Sequence, residues 1–216
     1  MKSKLLFYVS ALIGSALLGA CMGDVFTPKE DPTKFYILNS PVKVESIDGL
    51  NDISVNIAPV KIPEYMLRQQ ILIQKGSRNE IDLSDTNRWL EYPNDAFSRV
   101  VALNLSRITG SEDVCLYPYV SENPNAYMVR IVVARCAGEL GGDMNFIVRW
   151  HIFRHAAGKP AQKYGNRFFR TYKTGANYEE YVNTISEAFY DLSLEIAKEL
   201  KKLYQAEKNA DKPAKK

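Results

Sequence analysis

Asn145-Phe146-Ile147-Val148-Arg149-Trp150-His151-Ile152-Phe153-Arg154-His155 places Phe146, Val148, Trp150 and Ile152 on one side and Arg149, His151 and His155 on the other. A period of two over this length is the mark of a strand with one buried face. Working outward, Tyr127 to Cys136 and Tyr164 to Tyr172 read as strands too. Gly141-Gly142-Asp143 and Gly158-Lys159-Pro160 supply the turns between them. Three strands with short turns make an antiparallel meander, and its apolar face needs a covering layer.

The cover is written on either side. After the meander, Tyr178, Tyr181, Val182, Ile185, Phe189, Leu192, Ile196, Leu200 and Leu203 recur at helical spacing. Asn177 caps that helix, with Glu180 three residues on in a box-like start. Glu187, Asp191, Glu195 and Lys198 occupy its polar face. Before the meander, Pro93-Asn94-Asp95 opens a second helix with Phe97, Val100, Val101, Leu105 and Ile108 on one face, and Gly110 stops it. Shorter strands are expected at 34–38, 53–57, 70–74, 80–83 and 114–119. The expectation is an α/β single domain: a mixed, largely antiparallel sheet packed with two main helices.

The N-terminus carries a different kind of signal. Lys2 and Lys4 precede Leu5 to Ala20, which holds no charge and falls short of the roughly 20 apolar residues of a spanning helix. The run ends Leu18-Gly19-Ala20-Cys21, which resembles the bacterial lipobox: an aliphatic residue, two small residues, then a cysteine whose thiol accepts a diacylglycerol. Two or three acyl chains hold a protein firmly to a bilayer. The alternative is an ordinary secretory signal with a chance cysteine. Residues 1–20 are therefore read as a signal peptide, Cys21 as the lipidation site and 21–33 as a tether. Met22 stands where an Asp retains lipoproteins in the inner membrane of enteric bacteria, so the expected address is the outer membrane, with the domain facing the periplasm. The folded domain is placed at 34–206 and a disordered basic tail at 207–216.

Composition fits a globular body, with 46% hydrophobic and 11% aromatic residues. The net charge of +3 falls to +1 without Lys2 and Lys4. No clustered basic run suggests nucleic acid as a partner. Cys115 and Cys136 would sit in an oxidising compartment. They read as lying on neighbouring strands, although a tight hairpin turning near Glu122-Asn125 would not place them opposite each other, and a disulfide and two small buried thiols are both open readings.

Phe35-Tyr36-Ile37-Leu38 shortly after the lipobox, and Val55-Asn56-Ile57-Ala58-Pro59-Val60-Lys61-Ile62-Pro63-Glu64-Tyr65-Met66-Leu67-Arg68-Gln69-Gln70-Ile71, resemble the opening and central signature of the PqiC-type, ABC-transport auxiliary lipoproteins. Arg88-Trp89-Leu90-Glu91 resembles that family's Arg-Trp-Ala-Glu element, although Tyr92-Pro93 replaces the usual Pro-Leu. Tyr181-Val182 and Leu194-Glu195-Ile196-Ala197 fit its last helix. The resemblance implies an accessory of transporters built around MCE proteins, which carry phospholipid between two membranes. It implies an MCE-domain protein as partner, a homo-oligomer as a reasonable assembly, and no enzymatic turnover.

Candidate partner-binding residues are Tyr65, Arg68, Arg88 and Trp89, because aromatic and arginine anchors dominate docking surfaces. Trp89 has core packing as its alternative. For Arg68 the alternative is a structural pair with Glu64 or Glu91. The stripe of the last helix has a lipid-binding reading beside its core one.

No catalytic residue, metal site or cofactor is expected. His151 and His155, four apart on a strand, are roughly 13 Å from one another along the chain, too far to share one ion. A Gly-x-Ser-x-Gly elbow is absent, and Gly138 to Gly142 lacks the spacing and lysine of a phosphate loop. No base is evident for Cys115 or Cys136 as a nucleophile. Two other readings compete: an interaction lipoprotein of another envelope machine, such as a cell-wall synthesis regulator or secretion pilot, and, from another class, an envelope hydrolase resting on His151 or His155.

Overall fold

Alternation and helical spacing become eight strands and two long helices in a computed structural model that describes residues 30–76, 79–154 and 162–210. The strands are β1 (Lys34–Tyr36), β2 (Val55–Ile57), β3 (Gln70–Gln74), β4 (Ile81–Trp89), β5 (Val114–Leu116), β6 (Tyr127–Gly138), β7 (Asp143–Arg154) and β8 (Gln162–Lys173). The helices are α1 (Pro93–Thr109) and α2 (Tyr178–Ala210). Among the described residues, no helix is long and apolar enough to cross a membrane.

The strands form two sheets rather than one. The larger runs β5-β2-β6-β7-β8 and the smaller β1-β4-β3. The β6–β7–β8 meander is antiparallel, with Trp150 opposite Ile131 on one side and Asn166 on the other. β2 enters between β5 and β6, parallel to both. In the smaller sheet β1 is parallel and β3 antiparallel to β4. The return strand expected at 80–83 runs on to Trp89, whereas the strands at 34–38, 53–57 and 114–119 shorten to three residues each.

Met144, Phe146, Val148, Trp150 and Ile152 of β7 are all buried, and both helices pack over that face. A chain of rings ties the layers together. Phe97 of α1 lies 4.4 Å from Phe189 of α2, Phe189 lies 4.9 Å from Phe146, and Phe146 lies 5.8 Å from Phe168 of β8. Such contacts add to the apolar burial itself.

The helix ends follow their residues. Gly110 closes α1 at φ 70, its N–H donating to the Ser106 carbonyl at 2.9 Å. At the start of α2 the Asn177 Oδ1 accepts from the Glu180 N–H at 2.9 Å, and the Glu180 carboxylate accepts from the Ala176 N–H at 2.8 Å. The reciprocal cap therefore closes one residue earlier than the usual box. α2 does not stop where the sequence turns polar: it takes in residues 207–210 of the expected tail, and 211–216 lie outside the described residues. The lipid-binding reading of its stripe is overturned, since Tyr181, Val182, Ile185, Phe189, Leu192, Ile196 and Leu200 are buried against the sheet.

Candidate docking surface

The stretch from Val55 to Ile71 crosses from one sheet to the other. Val55 and Ile57 are buried in the larger sheet. Past β2 the chain keeps following β6, with Ala58 and Lys61 donating to the carbonyls of Val129 and Ile131. Val60 donates to the Ser98 hydroxyl at 2.9 Å, which fastens the strand to α1. Pro63, fixed in φ and unable to donate, then opens a single 3-10 turn, Glu64–Met66. That turn sends Met66 inward and leaves Tyr65 40% and Leu67 45% exposed. Met66 meets Leu72, Trp89, Phe97, Cys136 and Tyr181 around a cavity of ≈ 20 Å³. The two sheets join there, in room for about one water.

The four residues singled out from sequence take different places. Tyr65 is on the exposed turn, where burial pushes its phenol up and the nearby Arg135 guanidinium opposes the shift. Trp89 is 4% exposed and belongs to the core, so it is not part of a free surface. At the end of β4, Trp89, level with Tyr36, is buried in the core, while its neighbour Arg88, level with Phe35 and Gln70, is half-buried. Arg68 forms no pair with Glu64 or Glu91. Glu91 is engaged by Arg99 of α1, whose Nε donates to both carboxylate oxygens at 2.9 and 3.2 Å. Arg68 and Arg88 each have the Nε buried with no acceptor among the described residues, as Asn104 and Arg154 have other buried polar atoms without a partner. Buried donors are nearly always bonded, to protein or to ordered water, and the described residues supply neither Nε with an acceptor, although the Arg88 Nη2 donates to the Asp85 carbonyl at 3.4 Å.

Sequence reasoning missed the apolar company of these arginines. Phe35 is 56%, Leu90 61% and Tyr92 52% exposed around the smaller sheet. That these side chains gather around one small sheet becomes readable only once β1 is known to pair with β4.

No thiol chemistry is set up. Cys115 lies on β5 and Cys136 on β6, with β2 between them, and both are free. Cys115 is level with Met128 of β6 through Asn56, eight residues before Cys136, which puts the pair roughly 25 Å apart along the strands. A disulfide spans less than about 7 Å between Cα atoms, so the neighbouring-strand reading fails and the thiols stay apart. Burial pushes the Cys136 thiol up to about 12 and also raises Cys115, with the Asp113 carboxylate adding to the latter. Neither is a thiolate near neutral pH. Among the described residues no three His, Cys, Asp or Glu side chains converge for a metal ion. Desolvation, with Lys163 and Arg149 nearby, lowers the His151 pKa. His155 and Cys21 lie outside the described residues.

The family model described as the ABC-type transport auxiliary lipoprotein component matches residues 36–197. The chain belongs to this family. The match runs from the last residue of β1 through the crossing segment and both sheets into α2, so it takes in Tyr65, Arg68, Arg88 and Trp89. No curated protein matches the auxiliary lipoprotein sequence. Among solved structures it is similar to a crystal structure of an uncharacterized protein, with TM-score 0.62 and 16% identity over 78% of this chain and 98% of the other. It is also similar to a Xanthomonas campestris protein of the DUF330 family, with TM-score 0.58 and 10% identity over 83% of this chain and 100% of the other. At these identities the likeness shows a shared fold.

Proposed function

We propose that this auxiliary lipoprotein is a membrane-anchored accessory of an MCE-type phospholipid transport system. Lipidation of Cys21 holds it on the outer membrane, and the domain docks on or stabilises the transporter at that membrane, facing the periplasm. It acts by binding, not by turnover. The observation that carries the docking role is the pair of orphaned Nε donors, Arg68 and Arg88, beside exposed Tyr65, Leu67 and Phe35. Apolar rings around a donor that lacks an acceptor are the makings of a binding hot spot. A second copy of the chain is part of the same reading: MCE proteins form symmetric tubes, and a symmetric tube calls for a symmetric collar.

The test is affinity capture of the tagged protein from gently solubilised envelopes of its own host, with mass spectrometry of what accompanies it. An MCE-domain protein is expected, and it should be lost in a Tyr65→Ala, Arg68→Ala variant that still folds. Capture of wall-synthesis or secretion components in its place overturns the reading.

A further inference from the structure

The helices cover only one face of the five-stranded sheet. On the other face the cross-strand pairs line up side chains of one sign. Lys61 is level with Val132, Val132 with Arg149, and Arg149 with Arg167. Three of the four residues in that row are cations, spread over about 14 Å at ordinary strand spacing. The next row pairs Arg130 with His151 and Gly165, and the one beyond pairs Met128 with Phe153 and Lys163. Lys61, Arg130, Arg149, Lys163 and Arg167 are all exposed.

Acids do not answer them. Among the outward residues of β6, β7 and β8 the one acid is Asp143, at the far end of β7, and it pairs with Lys173 at 2.7 Å. Asp113, beyond β2, is bonded to the Ser121 hydroxyl. Like charges directly opposite one another cost stability in a sheet, and Arg149 and Arg167 are placed so. The near-neutral net charge conceals this polarity, because acids such as Glu187 and Asp191 lie on α2, across the sheet. Between the cations are apolar groups: Phe169 is 58% and Val132 40% exposed. Arg130 and Lys163 both lie over the Phe153 ring, at 4.6 and 5.8 Å. Gly165 has no side chain to lift the face, and the His151 ring lies against its backbone, where a Cβ would come within 2.6 Å of the ring.

We propose that this sheet face rests on an anionic phospholipid surface. A broad, shallow face of separated cations with apolar side chains between them complements a plane of phosphates with acyl chains beneath it. The stretch 21–33 spans at most about 45 Å, which keeps the domain as a whole close to the bilayer that holds Cys21. The inference rests on the proposed function for that anchor. It assigns the face to the lipid and leaves the Arg68 and Arg88 surface free for the transporter.

The test uses the chain from residue 21 with Cys21→Ser, which keeps the whole compact unit Thr33–Lys216 and has no acyl anchor. Its co-sedimentation is compared on vesicles of phosphatidylcholine alone and of phosphatidylcholine with about one third phosphatidylglycerol. Binding is expected only to the anionic vesicles and is lost as salt is raised toward 0.5 M or so, where charges are screened within a few ångströms. Arg149→Gln with Arg167→Gln should weaken it roughly 25-fold, at about fivefold for each basic residue at a charged surface. Lys198→Gln with Lys202→Gln removes the same charge from exposed positions on α2 and should leave binding unchanged. Equal binding to both vesicles, or equal loss in the two double variants, overturns the proposal. So does loss of the captured transporter protein in the Arg149, Arg167 variant when the chain without those two substitutions does not bind vesicles at low salt, since the face then belongs to an acidic protein. Loss of capture in the Tyr65, Arg68 variant bears on the proposed function alone.

Discussion

Arg154, the last residue of β7, holds Glu207 on the final turns of α2 with two nitrogens, Nε at 3.0 Å and Nη2 at 2.9 Å. The same guanidinium lies 4.6 Å from the centre of the Tyr127 ring. A side chain of the meander thus carries the helix on past Leu203, where its apolar stripe ends. Lys208 adds a local contact over the Tyr204 ring at 4.4 Å.

Replacing Glu207 with Ala should therefore fray the end of the helix. The bidentate geometry and partial burial suggest a loss of about 1 kcal/mol, above the usual surface pair. Hydrogen exchange of the amides from Tyr204 to Ala210 reads the effect directly. Unchanged protection there would sink the assignment.

Trp89 and Tyr65 should separate folding from docking. Trp89→Ala removes a buried ring from the junction of the two sheets, and losses of about 3–5 kcal/mol are usual for such a change. Tyr65→Ala removes a half-exposed ring and should cost stability by less than about 1 kcal/mol. Urea unfolding of the two variants, set beside capture of the partner, distinguishes the roles. A stable Trp89→Ala protein would contradict the core assignment.

The cap at the start of α2 sets a third expectation. Asn177→Ala deprives the Glu180 N–H of its acceptor and should lower stability by about 1 kcal/mol, whereas Asn177→Asp should keep it. Thermal unfolding of the pair decides the point, and equal melting of Ala and Asp variants would remove the cap from the account.

Alkaline stability follows from the buried acids of the core. Desolvation raises Cys136 to about 12 and pushes the phenols of Tyr127, Tyr172 and Tyr181 upward. Their neutral forms are favoured in the fold, so the stabilisation is complete below their unfolded values, about 8.5 for the thiol and 10 for the phenols. It declines as pH climbs from there toward the folded values. Unfolding free energy measured between pH 8 and 11 should fall steadily, and Cys136 should resist alkylation at pH 8 until the protein unfolds. Rapid labelling of Cys136 in the native state would show that the thiol is not enclosed.

Much of this was legible in residues alone. The alternation from Phe146 to Ile152 and the stripe from Tyr181 to Leu200 fixed the meander and its covering helix, because a whole buried face repeats in each. The family resemblance, carried by Val55 to Ile71, held across both sheets. What escaped were relations between distant segments. β2 between β5 and β6 separates Cys115 from Cys136, and nothing local to either cysteine records it. Trp89 was left between core and surface because β4 begins in a polar run, Asp82 to Arg88, that masks its alternation. Glu207 and Lys208 looked like tail, since the contacts that order them come from Arg154 and Tyr204 rather than from an apolar stripe. The cations of the outer sheet face are scattered from Lys61 to Arg167, so composition reported them as near-neutral balance.

The insertion of β2 also dictates a schedule of assembly. Val55 can find its neighbours only at Val114 and Tyr127, whereas β6, β7 and β8 find each other across short turns. A chain delivered N-terminus first must therefore carry β2, with its edges unbonded, until most of its length has arrived. Pairings of such long sequence separation form late and slowly. The meander is the natural seed, and β2 is the strand that waits. During that interval the exposed Val55 and Ile57 are a liability for aggregation. The topology thus ties the yield of folded protein to how quickly β2 is enclosed between its two neighbours.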